Sequence, residues 1–199
     1  MSADNTGNLP LRHNRLLRWF GKSILNLLGW RCKNRLPDIP KQVVIVAPHT
    51  SNWDFIIGVL VMFALDLKPN WIGKHSIFTP PFHIIMEWLG GIPVNRALPN
   101  DLVSSTCQRF AENDRMILGI APEGTRRRVE NWKKGYYRIA VEAKVPFVCA
   151  GLDYRTRTIS FGQPIMPSGD YEKDFIQVRD FFTDVKARFP EKFYLPDPN

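Results

Sequence analysis

The segment Pro48-His49-Thr50-Ser51-Asn52-Trp53-Asp54 places an imidazole and a carboxylate five positions apart, directly after the apolar run Val43-Val44-Ile45-Val46-Ala47. A carboxylate bonded to one ring nitrogen fixes the tautomer and supports the imidazolium that forms when the other nitrogen takes a proton. Such a pair suits a general base acting on a hydroxyl. The spacing alone is weak, because four histidines among twelve aspartates meet it by accident about one time in four. Asp54 also completes Ser51-x-x-Asp54, a capping-box start for a helix. Local residues therefore leave catalysis and helix capping both open.

Two further segments carry polar chemistry. Pro122-Glu123-Gly124-Thr125-Arg126-Arg127-Arg128 sets a glycine beside a carboxylate, a hydroxyl and three guanidiniums. Guanidinium accepts phosphate oxygens in a bidentate fork, so the loop fits a phosphate cradle; a solvated basic loop is the plainer alternative. Gly90-Gly91-Ile92-Pro93-Val94-Asn95-Arg96 ends on another arginine, and Lys74, Lys133 and Lys134 add positive potential around the same mouth.

These residues need elements to hold them. The β-branched run at 43–47 reads as a buried strand. Further strands are expected at Asn70–Lys74, Ile92–Asn95, Arg115–Ala121, Pro146–Gly151 and Arg157–Phe161. Helical patterns fall after His49 to about Asp66, and at Pro81–Leu89, Asn100–Asn113, Asn131–Ala143 and Asp170–Arg188. Strands alternating with helices predict an α/β fold: a single domain with a mixed, largely parallel sheet flanked by helices. Functional residues in such folds gather at the loops beyond strand ends, where His49, Arg96 and Glu123 stand.

Ahead of this lies a polar arm and then a helical pattern from Leu11 to Trp30. Leu16, Leu17, Phe20, Ile24, Leu27 and Leu28 fall on one arc, and Arg12, Arg15, Arg18 and Lys22 on another. A basic amphipathic helix of this kind suits an anionic lipid interface, and equally a helix packed on its own domain. The whole chain of 199 residues carries a formal charge of +8. Residues 1–41 supply six of those charges, with eight Lys/Arg against Asp4 and Asp38. No nucleic-acid motif accompanies the charge, so no nucleic-acid partner is expected. Cys32, Cys107 and Cys149 are widely spaced and odd in number, which points to a reducing compartment rather than a disulfide framework or zinc site. The N-terminal stretch does not read as a secretory signal. The longest apolar run, Phe55–Leu65, falls well short of the roughly 20 residues that span a bilayer.

Taken in order, His49-x4-Asp54, Gly91-Ile92-Pro93-Val94-Asn95-Arg96, Pro122-Glu123-Gly124-Thr125-Arg126 and Val145-Pro146 resemble the four motif blocks of the glycerol-phosphate and lysophospholipid acyltransferase family. Lys133-Lys134-Gly135 matches the Lys-Gly step that usually follows the third block. The resemblance implies an N-terminal arm and basic helix over 1–36, an acyltransferase domain over 37–194 and a tail over 195–199. It implies direct acyl transfer from a thioester, acyl-CoA or acyl-carrier protein, to the hydroxyl of a lysophospholipid, without a metal or resident cofactor. His49 would be the base and Asp54 its orienting partner. Arg96, Glu123, Gly124, Thr125 and Arg126, with Lys74, would hold the acceptor's phosphate and polar head. The expected place is cytoplasmic, peripheral on the inner membrane face, through residues 11–30. Pro48 departs from the asparagine that often precedes the histidine, and Arg127 from the serine that often follows the third block. Both departures fall on the head-group side. The alternatives are an acceptor without phosphate, such as an amino-acid-based lyso-lipid, or a non-catalytic membrane-binding relative.

Overall fold

The strand at the centre of the fold is the β-branched run itself, extended to Lys41–Ala47. The computed structural model describes residues 7–94 and 99–197; Asn95 and Arg96 lie outside the described residues. In chain order the elements are α1 (Arg15–Leu27), β1 (Arg31–Cys32), β2 (Lys41–Ala47), α2 (Asn52–Ala64), β3 (Asn70–Lys74), α3 (His83–Trp88) and β4 (Gly91–Val94). Then follow α4 (Pro99–Glu112), β5 (Met116–Ile120), α5 (Gly135–Ala143), β6 (Phe147–Asp153), β7 (Thr158–Phe161) and α6 (Tyr171–Phe182). The sheet order is β1-β7-β6-β2-β5-β3-β4. All neighbours are parallel except β6 and β7. The expected mixed, largely parallel α/β sheet is therefore what forms.

Successive strand residues point to opposite faces, and β2 supplies a core on each. Val43, Ile45 and Ala47 pack with Phe110 of α4, Tyr136 and Ile139 of α5 and Phe175 and Phe182 of α6. Val44 turns the other way, into a core with Leu25 of α1 and Ile57, Leu60 and Ala64 of α2. Both faces are covered, which is why a parallel strand reads as an unbroken apolar run.

Helix α1 belongs to this same body. It lies on α2 with Gly21 at the crossing, where a Cβ would come 2.6 Å from the Ala64 nitrogen and 2.7 Å from the Leu60 oxygen. Only glycine allows so close a backbone approach. The helix is shorter than the Leu11–Trp30 pattern. Asn14 caps its start by accepting the Leu17 N–H, and the Leu11–His13 stretch instead runs beside Asp66 and Leu67. At its end the Trp30 N–H bonds the Leu25 carbonyl and the Gly29 N–H that of Asn26, closing the helix.

Other elements differ from the sequence pattern because tertiary bonds decide them. Strand β1 was absent from the pattern; two residues carry no periodicity, yet Arg31 and Cys32 pair with Thr158 and Ile159 of β7. Residues 131–134 leave α5 because Trp132 is buried with its indole N–H on the Tyr194 carbonyl, and the Lys133 N–H bonds Pro122. Helix α6 stops at Phe182 rather than Arg188 because the following chain turns toward β6, where Lys186 accepts the Tyr154 N–H.

Candidate active site

Strand β2 lies between β6 and β5 and runs parallel to both, so the carboxyl ends of three strands open side by side. Each delivers one group: His49 after β2, Glu123 after β5, Tyr154 after β6. Ligand sites in open parallel sheets form at this edge.

Asp54, in the first turn of α2, is 3% exposed. Its Oδ2 accepts the backbone N–H groups of Thr50 and Ser51, each at 2.6 Å. Its Oδ1 accepts the Ser51 hydroxyl at 2.8 Å and the Tyr154 hydroxyl at 2.6 Å. Ser51 and Asp54 thus close a capping box at the start of α2. The same Oδ2 lies 3.6 Å from His49 Nδ1. That separation is longer than a hydrogen bond, and ligand-free catalytic pairs commonly tighten only with substrate in place. The two roles that the residues left open are compatible in one geometry: the cap holds the carboxylate that faces the imidazole.

Glu123 supports the pair from the other side. Its Oε1 accepts the His49 backbone N–H at 2.9 Å, and its side chain is 4% exposed. Burial pushes this carboxyl up to about 7, and the charge of Asp54 adds to the effect, while bonds from its own and the His49 backbone oppose it. The resemblance implies that Glu123 holds the acceptor's head; in the structure its Oε1 fixes the backbone of His49, and nothing in the motif's letters signals that burial. No motif or periodicity marks Tyr154. Its hydroxyl is shifted upward, first by burial and then by its bond to Asp54, so it stays a donor.

The remaining expected residues form the rim. Gly124 has φ +63°, a left-handed conformation that favours glycine, and a Cβ there would meet the Lys133 side chain at 3.0 Å. The Thr125 hydroxyl accepts the Arg127 N–H, while Arg126, Arg127 and Lys74 are exposed. Lys74 ends β3, at the same sheet edge. Lys134, expected at the mouth, turns away to an ion pair with Glu172 and lies over the Tyr171 ring. Arg96 lies outside the described residues.

A family model for acyltransferases matches residues 31–153, a segment that carries both His49-x4-Asp54 and the Glu123–Arg126 loop. The chain belongs to the acyltransferase family. One relative within reach of sequence comparison is the 1-acyl-sn-glycerol-3-phosphate acyltransferase of Haemophilus influenzae, 28% identical over 141 residues. That match takes in 66% of this chain and 57% of the relative, so the acyltransferase described here spans little more than half of the relative's length. Its fold is similar to that of the 1-acyl-sn-glycerophosphate (LPA) acyltransferase PlsC from Thermotoga maritima, with a TM-score of 0.59 at 16% identity. That likeness covers 87% of this chain and 80% of the other. Tyr154 falls one residue beyond the family match.

Proposed function

We propose that this protein transfers a fatty acyl group from an acyl thioester to the hydroxyl of a phosphate-bearing lyso-lipid, a lysophosphatidate-like acceptor. The observation that carries the proposal is the buried Asp54 carboxylate, fixed by Thr50, Ser51 and Tyr154, with Oδ2 turned to His49 Nδ1. His49 is 22% exposed, so its ring reaches the open edge of the sheet. Its Nε2 takes the proton of the acceptor hydroxyl as that oxygen bonds the thioester carbonyl carbon. The carbon–sulfur bond then breaks, and the leaving thiolate receives the proton from His49 Nε2. A thioester is already activated, so the protein supplies a base and positioning. Arg126 and Lys74, with Arg96, Gly124 and Thr125 as the resemblance implies, hold the acceptor's phosphate. The donor is acyl-CoA or acyl-carrier protein.

We place the enzyme on the cytoplasmic face of a membrane. Leu16, Trp19 and Leu27 of α1 are 79%, 69% and 81% exposed, and Ile84 and Trp88 of α3 are exposed as well. Phe63 of α2 links the two: it abuts Gly21 of α1 and lies 6.0 Å from the Trp88 ring, with Arg12 over both rings. Apolar surface of this kind beside Arg18 and Lys22, which with Lys33 and Arg35 line a groove of about 690 Å³, suits an anionic lipid interface. Among the described residues no helix is long and apolar enough to cross a membrane. The test is a set of lyso-lipid acceptors, with and without phosphate, offered to purified protein with a labelled acyl thioester. Label entering the phosphate-bearing acceptors alone supports the proposal. Label entering only phosphate-free acceptors points to the amino-acid-based alternative, and none in any acceptor to a non-catalytic relative.

A further inference from the structure

We infer that Tyr154 is a positioning residue that orients the Asp54 carboxylate toward His49. This rests on the catalytic reading of His49 and Asp54 given above. The bonds from Thr50 and Ser51 to Asp54 arise within one helix start and would accompany any capping box. Tyr154 is different. It stands 100 positions further along the chain, at the end of a neighbouring strand, and its hydroxyl donates to Oδ1 at 2.6 Å. It thus reaches Asp54 from outside the 50–54 turn, unlike Thr50 and Ser51.

The ring is held so that the hydroxyl can do this. The Tyr154 N–H bonds the Lys186 carbonyl at 2.9 Å. Its ring meets Trp30 edge-on, with centroids 4.9 Å apart at 88°, and the Arg188 guanidinium lies 5.9 Å from its centroid. A phenylalanine would fill that bed equally well, so packing does not account for the hydroxyl. Pinning Oδ1 against Tyr154 and Ser51 leaves Oδ2 as the oxygen that faces His49 Nδ1. Two O–H donors on Oδ1 also draw charge toward that oxygen, and so moderate the pull of the carboxylate on the imidazolium.

The groups that face Asp54 are few enough to assign the sign. They are His49 and Ser51 from the β2–α2 turn, Glu123 from the β5 loop, and Tyr154, with Arg188 behind it from the segment after α6. Removing the phenol hydroxyl concentrates charge on the carboxylate and stabilises the His49 imidazolium. His49 must then lose its proton at higher pH before it can serve as a base. The acidic limb of the kcat profile moves upward, and the ratio of wild-type to variant rate grows as pH falls.

The experiment compares wild type, Tyr154→Phe and His49→Ala of the full chain, using a labelled acyl thioester and a lysophosphatidate-like acceptor in detergent. Tyr154→Phe is expected to lose about tenfold in kcat, a loss typical of a loosened catalytic group, with KM for both substrates within about twofold. Its acidic limb moves upward. Wild-type kcat and an unmoved limb in Tyr154→Phe, beside an inactive His49→Ala, overturn the role of Tyr154 and leave the catalytic reading standing. An active, folded His49→Ala overturns the catalytic reading and this inference with it. Should Tyr154→Phe melt early, 3-fluorotyrosine at position 154 keeps the ring and strengthens the donor. It moves the limb to lower pH if Tyr154 acts through Asp54, and an unmoved limb overturns the inference.

Discussion

The two ends of the site are built differently. At one end Asp54 is buried and tied to Thr50, Ser51 and Tyr154, and Glu123 is buried against the His49 backbone. At the other end Arg126, Arg127 and Lys74 stand exposed on a rim. Both Asp54 oxygens are bonded and admit one arrangement, whereas exposed cations on long stems accept many. On the proposed reading, the chemical end is therefore fixed by folding, and the recognition end takes its form from what binds.

Substitutions at the two ends should separate this difference. Beside loss of the base itself, the largest effect is expected at Asp54→Asn, which keeps the size of the side chain and removes the charge that supports the imidazolium. Loss of about a thousandfold in kcat is expected, within the range known for such carboxylates, alongside a modest fall in melting temperature from the weakened cap. A variant that lost only thermal stability would reduce Asp54 to a helix cap and erase the contrast between the ends.

Glu123→Gln probes the buried carboxyl beside that pair. Its folded value of about 7 lies above the ordinary 4.5, so the folded state holds the proton more tightly than the unfolded one. Stability from this group is complete below about pH 4.5 and is lost as pH rises through about 7, by roughly 3 kcal/mol at most. Glutamine still accepts the His49 N–H and carries no such burden. Thermal melts across this window should show wild type losing stability toward pH 8 and Glu123→Gln losing much less. Parallel curves for the two proteins would place the charge of Glu123 in solvent.

At the rim the expected effect is smaller and falls on binding. Arg126→Ala should raise the KM of a phosphate-bearing acceptor about tenfold, the worth of one charged hydrogen bond, with kcat little changed. Equal KM values for wild type and Arg126→Ala would move the phosphate elsewhere. Smallest of all, Leu16→Glu with Leu27→Glu should weaken sedimentation with anionic vesicles several-fold and leave turnover of a detergent-dispersed acceptor intact. Unchanged vesicle binding would take α1 out of the membrane contact.

The same contrast explains what could be read from the residues. Val43–Ala47 announced the central strand because a strand buried on both faces must be apolar throughout. His49, Asp54 and the Glu123–Arg126 loop were visible because they lie within short segments of fixed spacing. Tyr154 was not, since its bond to Asp54 joins positions 100 apart and no periodicity records it. The work of Glu123 was hidden for a related reason: a carboxylate beside Gly-Thr-Arg looks like a polar contact until burial is known. The early end of α6 belongs with these, because the Lys186 carbonyl turns to a β6 neighbour that helix propensity does not see.

On the proposed reading the fold holds His49 as a base for acyl transfer to a hydroxyl. The most direct test of that role follows label from an acyl thioester into a lysophosphatidate-like acceptor, with wild type and His49→Ala side by side and both confirmed folded by their melting curves. Wild type should give labelled product and His49→Ala should lose at least about a thousandfold, as expected for removal of a general base. Substantial product from a folded His49→Ala protein would contradict that role.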